Sequence, residues 1–199
     1  MVMVFMCELL YAQDRSETHY PNGQVKSEGI MKDGLKSGEW RYYYPTGKIM
    51  AIENYIEGML HGKVNYYYSN GDIQGIENWE RAALVDSSFY FYSDGRIERK
   101  GMYDHSRYYG TWLYYHNNGT LERSVSYING LPEGEVIIFD VNGRVVQTGF
   151  YHNGKEEGLW DFIMMRGTCN MKVIIEMVRK RELGLNMIRK EKSAYTGND

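Results

Sequence analysis

The chain has 199 residues and a mass of 23.3 kDa, with 23 Lys and Arg against 26 Asp and Glu, a formal net charge of −3 and a mean hydropathy of −0.55. The charge is uneven: residues 164–199 hold eight basic and four acidic residues, leaving 15 basic and 22 acidic ahead of them. Such an acidic body excludes nucleic acid as a partner, since phosphate binding needs a basic stripe, and no apolar run approaches the roughly 18 residues of a membrane-spanning helix.

Residues 1–19 open the chain. Met1 to Ala12 are mostly apolar and give way to the polar stretch Asp14 to Thr18. The segment reads as a truncated secretory signal or as a plain apolar strand, and on either reading it stands outside the repeat fold.

From Tyr20 the chain falls into lines of 24 residues beginning at Tyr20, Tyr44, Tyr68, Tyr92, His116 and Asp140. The fourth position is always glycine (Gly23, Gly47, Gly71, Gly95, Gly119, Gly143), and the sixth is aliphatic (Val25, Ile49, Ile73, Ile97, Leu121, Val145). A fixed period of this length signals stacked units, none of which buries its apolar face alone.

Each line carries two turn signals. The first is Asn-Gly or Asp-Gly in five lines and Thr46-Gly47 in the other, which predicts a two-residue type I′ hairpin. That register sets Trp40 opposite Glu53, Tyr42 opposite Ala51 and Tyr44 opposite Ile49, with Trp40, Tyr42, Tyr44, Ile49 and Tyr55 on one face. The second signal, Asp33-Gly34 to Gly38, Glu57-Gly58 to Gly62, Asn129-Gly130 to Gly134 and Asn153-Gly154 to Gly158, predicts a longer loop with two residues in left-handed geometry. The runs between turns are rich in aromatic and β-branched residues.

The expected fold is all-β: a single-layer antiparallel β-meander solenoid of six 24-residue hairpin repeats over residues 20–163. A sheet with no second layer favours tyrosine, whose ring is apolar while its hydroxyl reaches water. The chain has 19 Tyr beside 6 Phe.

Two stretches break the pattern. Arg81-Ala82-Ala83-Leu84-Val85-Asp86 lacks both glycines of the second turn, and His105-Ser106 stands where Asx-Gly is expected. Departures from a repeat's local rule mark drift or function, and Arg81 and Asp86 are candidate contacts. Residues 164–199 read as a decayed seventh repeat or cap with a basic tail. A helix over Val173 to Arg181 is the alternative there, and Glu191 to Asp199 are expected to be disordered.

The lines Tyr20-Pro21-Asn22-Gly23-Gln24-Val25-Lys26-Ser27-Glu28-Gly29 and Lys32-Asp33-Gly34-Leu35-Lys36-Ser37-Gly38-Glu39-Trp40-Arg41-Tyr42-Tyr43 resemble the bacterial variant of the MORN repeat, familiar in YwqK-type antitoxins. The resemblance implies a β-meander solenoid. It also implies a protein-binding, scaffolding or lipid-binding role, since similar arrays serve as accessory segments of kinases and methyltransferases whose catalytic domains have no counterpart here.

The residues themselves offer no catalytic constellation. His19, His61, His105, His116 and His152 make no ligand spacing, and no nucleophile elbow or phosphate loop occurs. The Asx-Gly pairs lack the ligand spacing of a calcium loop. No enzyme, cofactor or metal is expected.

Trp40, Tyr42, Tyr66, Tyr90, Trp112, Tyr114 and Trp160 form the recurring aromatic columns. Structurally they are cross-strand ladders; functionally they offer a stacking platform. The expected role is binding a protein partner, in scaffold or antitoxin-like fashion, or self-association. The alternative is attachment to membrane lipid or envelope glycan through the aromatic face and the basic tail. Export or an envelope location is expected, with the cytoplasm as the alternative.

Overall fold

The computed structural model describes residues 13–166, 169–176 and 189–192. The expectations for residues 1–12, for most of the basic tail and for the end of the chain lie outside the described residues. Every described element is a strand, and every pairing between them is antiparallel. The chain divides into two compact units, Met1–Leu84 and Val85–Asp199.

In the first unit the strands are β1 (Gln13–His19), β2 (Val25–Lys32), β3 (Leu35–Tyr43), β4 (Ile49–Ile56), β5 (Met59–Leu60), β6 (Gly62–Tyr67) and β7 (Ile73–Glu80). β1 pairs with β2, β2 with β3, β3 with β4, β4 with both β5 and β6, and β6 with β7. Gln13–His19, placed by sequence outside the repeat fold, is thus the partner of β2. It is polar and charged throughout, as suits an edge strand that must not recruit another chain.

The second unit opens in β8 (Ala83–Phe91), whose first two residues belong to the first unit, and continues through β9 (Ile97–Asp104), β10 (Arg107–Tyr115), β11 (Leu121–Ile128), β12 (Leu131–Pro132), β13 (Gly134–Phe139), β14 (Val145–His152), β15 (Lys155–Arg166), β16 (Cys169–Glu176) and β17 (Arg189–Lys192). The strand β16 occupies the first residues of the alternative helix at 173–181; the remainder of that helix lies outside the described residues.

The two turn types are exchanged relative to expectation. At the first turn the Gly47 amide donates to the Tyr44 carbonyl (2.8 Å), and the Tyr44 amide to the Lys48 carbonyl (2.8 Å). Pro45 and Thr46 keep negative φ while Gly47 has φ +83°. A bond from residue i+3 to i, with both central residues negative, defines a type I turn, and the left-handed glycine after it makes a three-residue loop with a bulge. The register therefore slips by one between Tyr42 and Tyr43, so Tyr43 and not Tyr44 faces Ile49, while Trp40 faces Glu53 and Tyr42 faces Ala51. The same bond closes the tips at Tyr20, Tyr68, Tyr92, His116 and Asp140.

The second turn holds the two-residue loop. Lys32 pairs with Leu35 and Ile56 with Met59, and Asp33 (+52°), Gly34 (+77°), Glu57 (+51°) and Gly58 (+77°) are all left-handed, which is the type I′ signature. Gly38 and Gly62 belong to a separate bulge further along the strand, with φ +68° and +82°.

Successive hairpins are fastened at both ends. Near the first turn a side chain reaches the carbonyl 23 residues on: Tyr20 Oη to Tyr43 (2.7 Å), Tyr44 Oη to Tyr67 (2.8 Å), Tyr92 Oη to Tyr115 (2.7 Å) and His116 Nε2 to Phe139 (2.9 Å). At the second turn a backbone amide donates to the carbonyl 22 residues back, as from Gly58 to Lys36 (2.9 Å), Ala82 to Leu60 (2.8 Å), Gly130 to Tyr108 (3.1 Å) and Gly154 to Pro132 (3.0 Å).

Candidate functional site

Alternation along strands sends Trp40, Tyr42, Ala51, Val64 and Tyr66 to one face of the first unit, and Trp40, Ala51 and Val64 are buried there. Trp40 lies on Gly29, where an added Cβ would sit 2.4 Å from the indole Cδ2. Its Nε1 donates to the Ile30 carbonyl (3.1 Å).

Lys36 reaches into this aromatic cluster. Its Nζ lies 4.7 Å from the Trp40 ring centre, 5.1 Å from Tyr42 and 4.8 Å from Tyr55. It donates to Tyr42 Oη (2.5 Å), which is 3.2 Å from Tyr55 Oη, and Tyr55 donates in turn to Glu53. Burial, reinforced by the Glu53 carboxylate, pushes the Tyr55 phenol far up, and burial with the Glu77 charge does the same to Tyr66. These phenols stay neutral and act as hydrogen-bond partners.

The second unit repeats the arrangement without the lysine. Trp112 is fully buried on Gly101, with an added Cβ falling 2.3 Å from Cδ2, and its Nε1 donates to the Met102 carbonyl (2.9 Å). The rings of Tyr103 (4.9 Å) and Tyr108 (4.6 Å) meet it edge-on, and Tyr90 stacks at 6.4 Å. Tyr108, which stands where the first unit has Lys36, also stacks on Tyr127 (4.9 Å). Burial pushes the Tyr103 phenol up to about 12. Trp160 is buried on Gly149 against the edge of Tyr151 (5.4 Å), in a cluster with Val125 and Val136.

The residues singled out from the sequence thus separate into three groups. Trp40, Trp112 and Trp160 are buried core. Tyr42, Tyr66, Tyr90 and Tyr114 are half-buried and form the open part of the aromatic face. Arg81 and Asp86 are exposed residues of the turn and bulge: Arg81 has φ +45°, and Asp86 has φ +60° where the other lines carry glycine.

Besides Lys36, sequence reasoning missed two arginines on the aromatic face. Arg99 lies with its Cζ 4.3 Å from the Tyr90 ring centre, and Arg123 lies 4.3 Å from that of Tyr114. Continuing the cross-strand register one strand beyond each tyrosine would have found both. Among the described residues no group of three His, Cys, Asp or Glu side chains is arranged to hold a metal ion.

No curated protein matches the chain. Residues 15–33, 36–57, 60–81 and 108–129 match the MORN repeat variant. Each matched segment covers one hairpin closed by the type I turn, with its two strands. Those four hairpins are thus similar to the MORN repeat variant.

Proposed function

We propose that the chain is a non-catalytic repeat module that holds a protein partner, in scaffold or antitoxin-like fashion, on its aromatic face. MORN repeats in general are protein- or membrane-binding modules. The observation that carries the reading is the division of labour among the rings: Trp40, Trp112 and Trp160 are sealed inside, while the tyrosine row stays half-exposed. Half-exposed tyrosines offer apolar area and a hydroxyl at small entropic cost, the combination favoured at protein interfaces.

A photo-crosslinking amino acid at position 90 or 114 of the full chain, expressed in its own cells, tests this. Crosslinks to one discrete protein from both positions, and none from position 113 on the opposite face, are expected. Crosslinks to lipid or glycan alone would refute the protein reading in favour of surface attachment. We also place the protein outside the cytoplasm, in the envelope or exported, on the strength of the apolar residues 1–12; N-terminal sequencing of the cellular protein that finds Met1 retained would reverse this.

A further inference from the structure

In the second unit, pairing across the strands sets Tyr90 opposite Arg99, Arg99 opposite Tyr114, and Tyr114 opposite Arg123. Opposed residues share a face, so these four side chains form one row that alternates ring and guanidinium. The corresponding row of the first unit reads Ser27, Tyr42, Ala51, Tyr66, Gly75. There the positions between tyrosines are filled by small residues, so the two arginines are an addition particular to the second unit.

Their hydrogen bonding is incomplete. Arg123 Nη1 donates to Glu122 Oε1 (3.1 Å), but Arg99 makes no hydrogen bond or ion pair among the described residues, and its Nε is sealed from solvent without an acceptor. A guanidinium carries five donors and is half-buried here on an aromatic ring. An unpaired group of this kind calls for an explanation. With the Nε side closed, the edge left to an incoming group is the Nη1/Nη2 pair, a fork that matches the two oxygens of a carboxylate.

Arg99 and Arg123 are separated by two strand spacings, about 10 Å. A ligand touching both must cross the Tyr114 ring between them. A single phosphate headgroup does not span that distance, whereas three residues of extended peptide do, at roughly 3.3 Å each. We propose that the row Tyr90, Arg99, Tyr114, Arg123 binds an acidic segment of a partner protein, with one carboxylate on Arg99, a second on Arg123 and the backbone between them over Tyr114. This rests on the protein-binding function proposed above and names the chemistry of the partner.

The test is calorimetric titration of the full chain at low salt with capped hexaglutamate, and separately with phosphatidylglycerol vesicles. Saturable binding of the peptide is expected. Arg99→Gln should weaken it at least tenfold. Arg99→Lys, which keeps the charge and loses the fork, should weaken it severalfold, while Arg96→Gln, whose residue sits in a turn beside Asp94, should leave it within twofold. Absence of saturable binding, or equal losses for Arg96→Gln and Arg99→Gln, overturns the proposal, as does vesicle binding that depends on Arg99. Arg99→Lys serves as the deciding variant if Arg99→Gln melts at a lower temperature than the wild type. If crosslinks from positions 90 and 114 still find a protein while hexaglutamate fails to bind, this inference falls and the general protein-binding function stands.

Discussion

Trp112 packs directly on Gly101, as closely as Trp160 does on Gly149, and the chain supplies its own alternative one line later, where Val125 and Val136 occupy the same two positions as Gly101 and Trp112. Gly101 does not have a left-handed φ, so its backbone accepts a side chain, and the whole cost of adding one is steric. A valine Cβ would fall 2.3 Å from Trp112 Cδ2. Displacing the indole strains a packed site by about 1–3 kcal/mol and breaks the Nε1 bond to the Met102 carbonyl, worth about 1 kcal/mol. Trp112→Val alone removes a fully buried ring and should cost about 3–5 kcal/mol. Together the two substitutions recreate the pair found at 125 and 136, so the double variant should be less destabilised than the sum by about 1–3 kcal/mol. Urea unfolding followed by circular dichroism, which does not depend on the indole, measures all three variants. Additivity within about 0.5 kcal/mol would show that the two residues do not compete for one space, and the reasoning would fail.

Ser106→Gly and Asp86→Gly should each raise stability by about 0.5–1 kcal/mol, because these residues have φ +63° and +60° and escape from left-handed strain outweighs glycine's extra unfolded-state entropy; thermal melting checks this. Lys36→Met should cost about 1 kcal/mol by removing a cation from three aromatic rings, read from denaturant midpoints. Tyr44→Phe removes one tip fastening, the bond to the Tyr67 carbonyl, and should cost about 1 kcal/mol, seen as faster amide exchange around residue 67. Hydrogen bonds from Tyr43 and Arg15 hold the Glu28 carboxyl below its ordinary range. A depressed carboxyl stabilises the fold above its unfolded-state value and loses that effect as pH falls through the folded value. The melting temperature should therefore drop further between pH 6 and pH 3 in the wild type than in Glu28→Gln.

The strand runs, their antiparallel order and the pairing of Trp40 with Glu53 were legible because period and alternation report directly on which residues face one another. The turns were not, because an Asn-Gly pair suits two different tips. Pro21 and Pro45 carried the missing information: a proline fixed at negative φ fits position i+1 of a type I turn, which moves the glycine to the bulge. The polar strand Gln13–His19 was hidden because it follows an apolar run and precedes the first 24-residue line at Tyr20. On the candidate site, the aromatic columns were visible as columns. Whether a given ring was open depended on its opposite number, glycine at 29, 101 and 149, and that complementarity shows only when two strands are read side by side. Arg99 and Arg123 escaped for a related reason, since attention to rings passes over what lies between them.

The fastenings at the hairpin tips have an evolutionary corollary. Each joins a residue to one 22 or 23 positions away, within reach of a single neighbour, and none spans three hairpins. A duplication or loss of 24 residues inside a unit leaves every seam with a partner of the same kind, whereas a change of 23 or 25 leaves two seams unmatched at once. The gene can therefore lengthen or shorten by unequal recombination in whole steps, and selection on folding alone is enough to keep the count in phase.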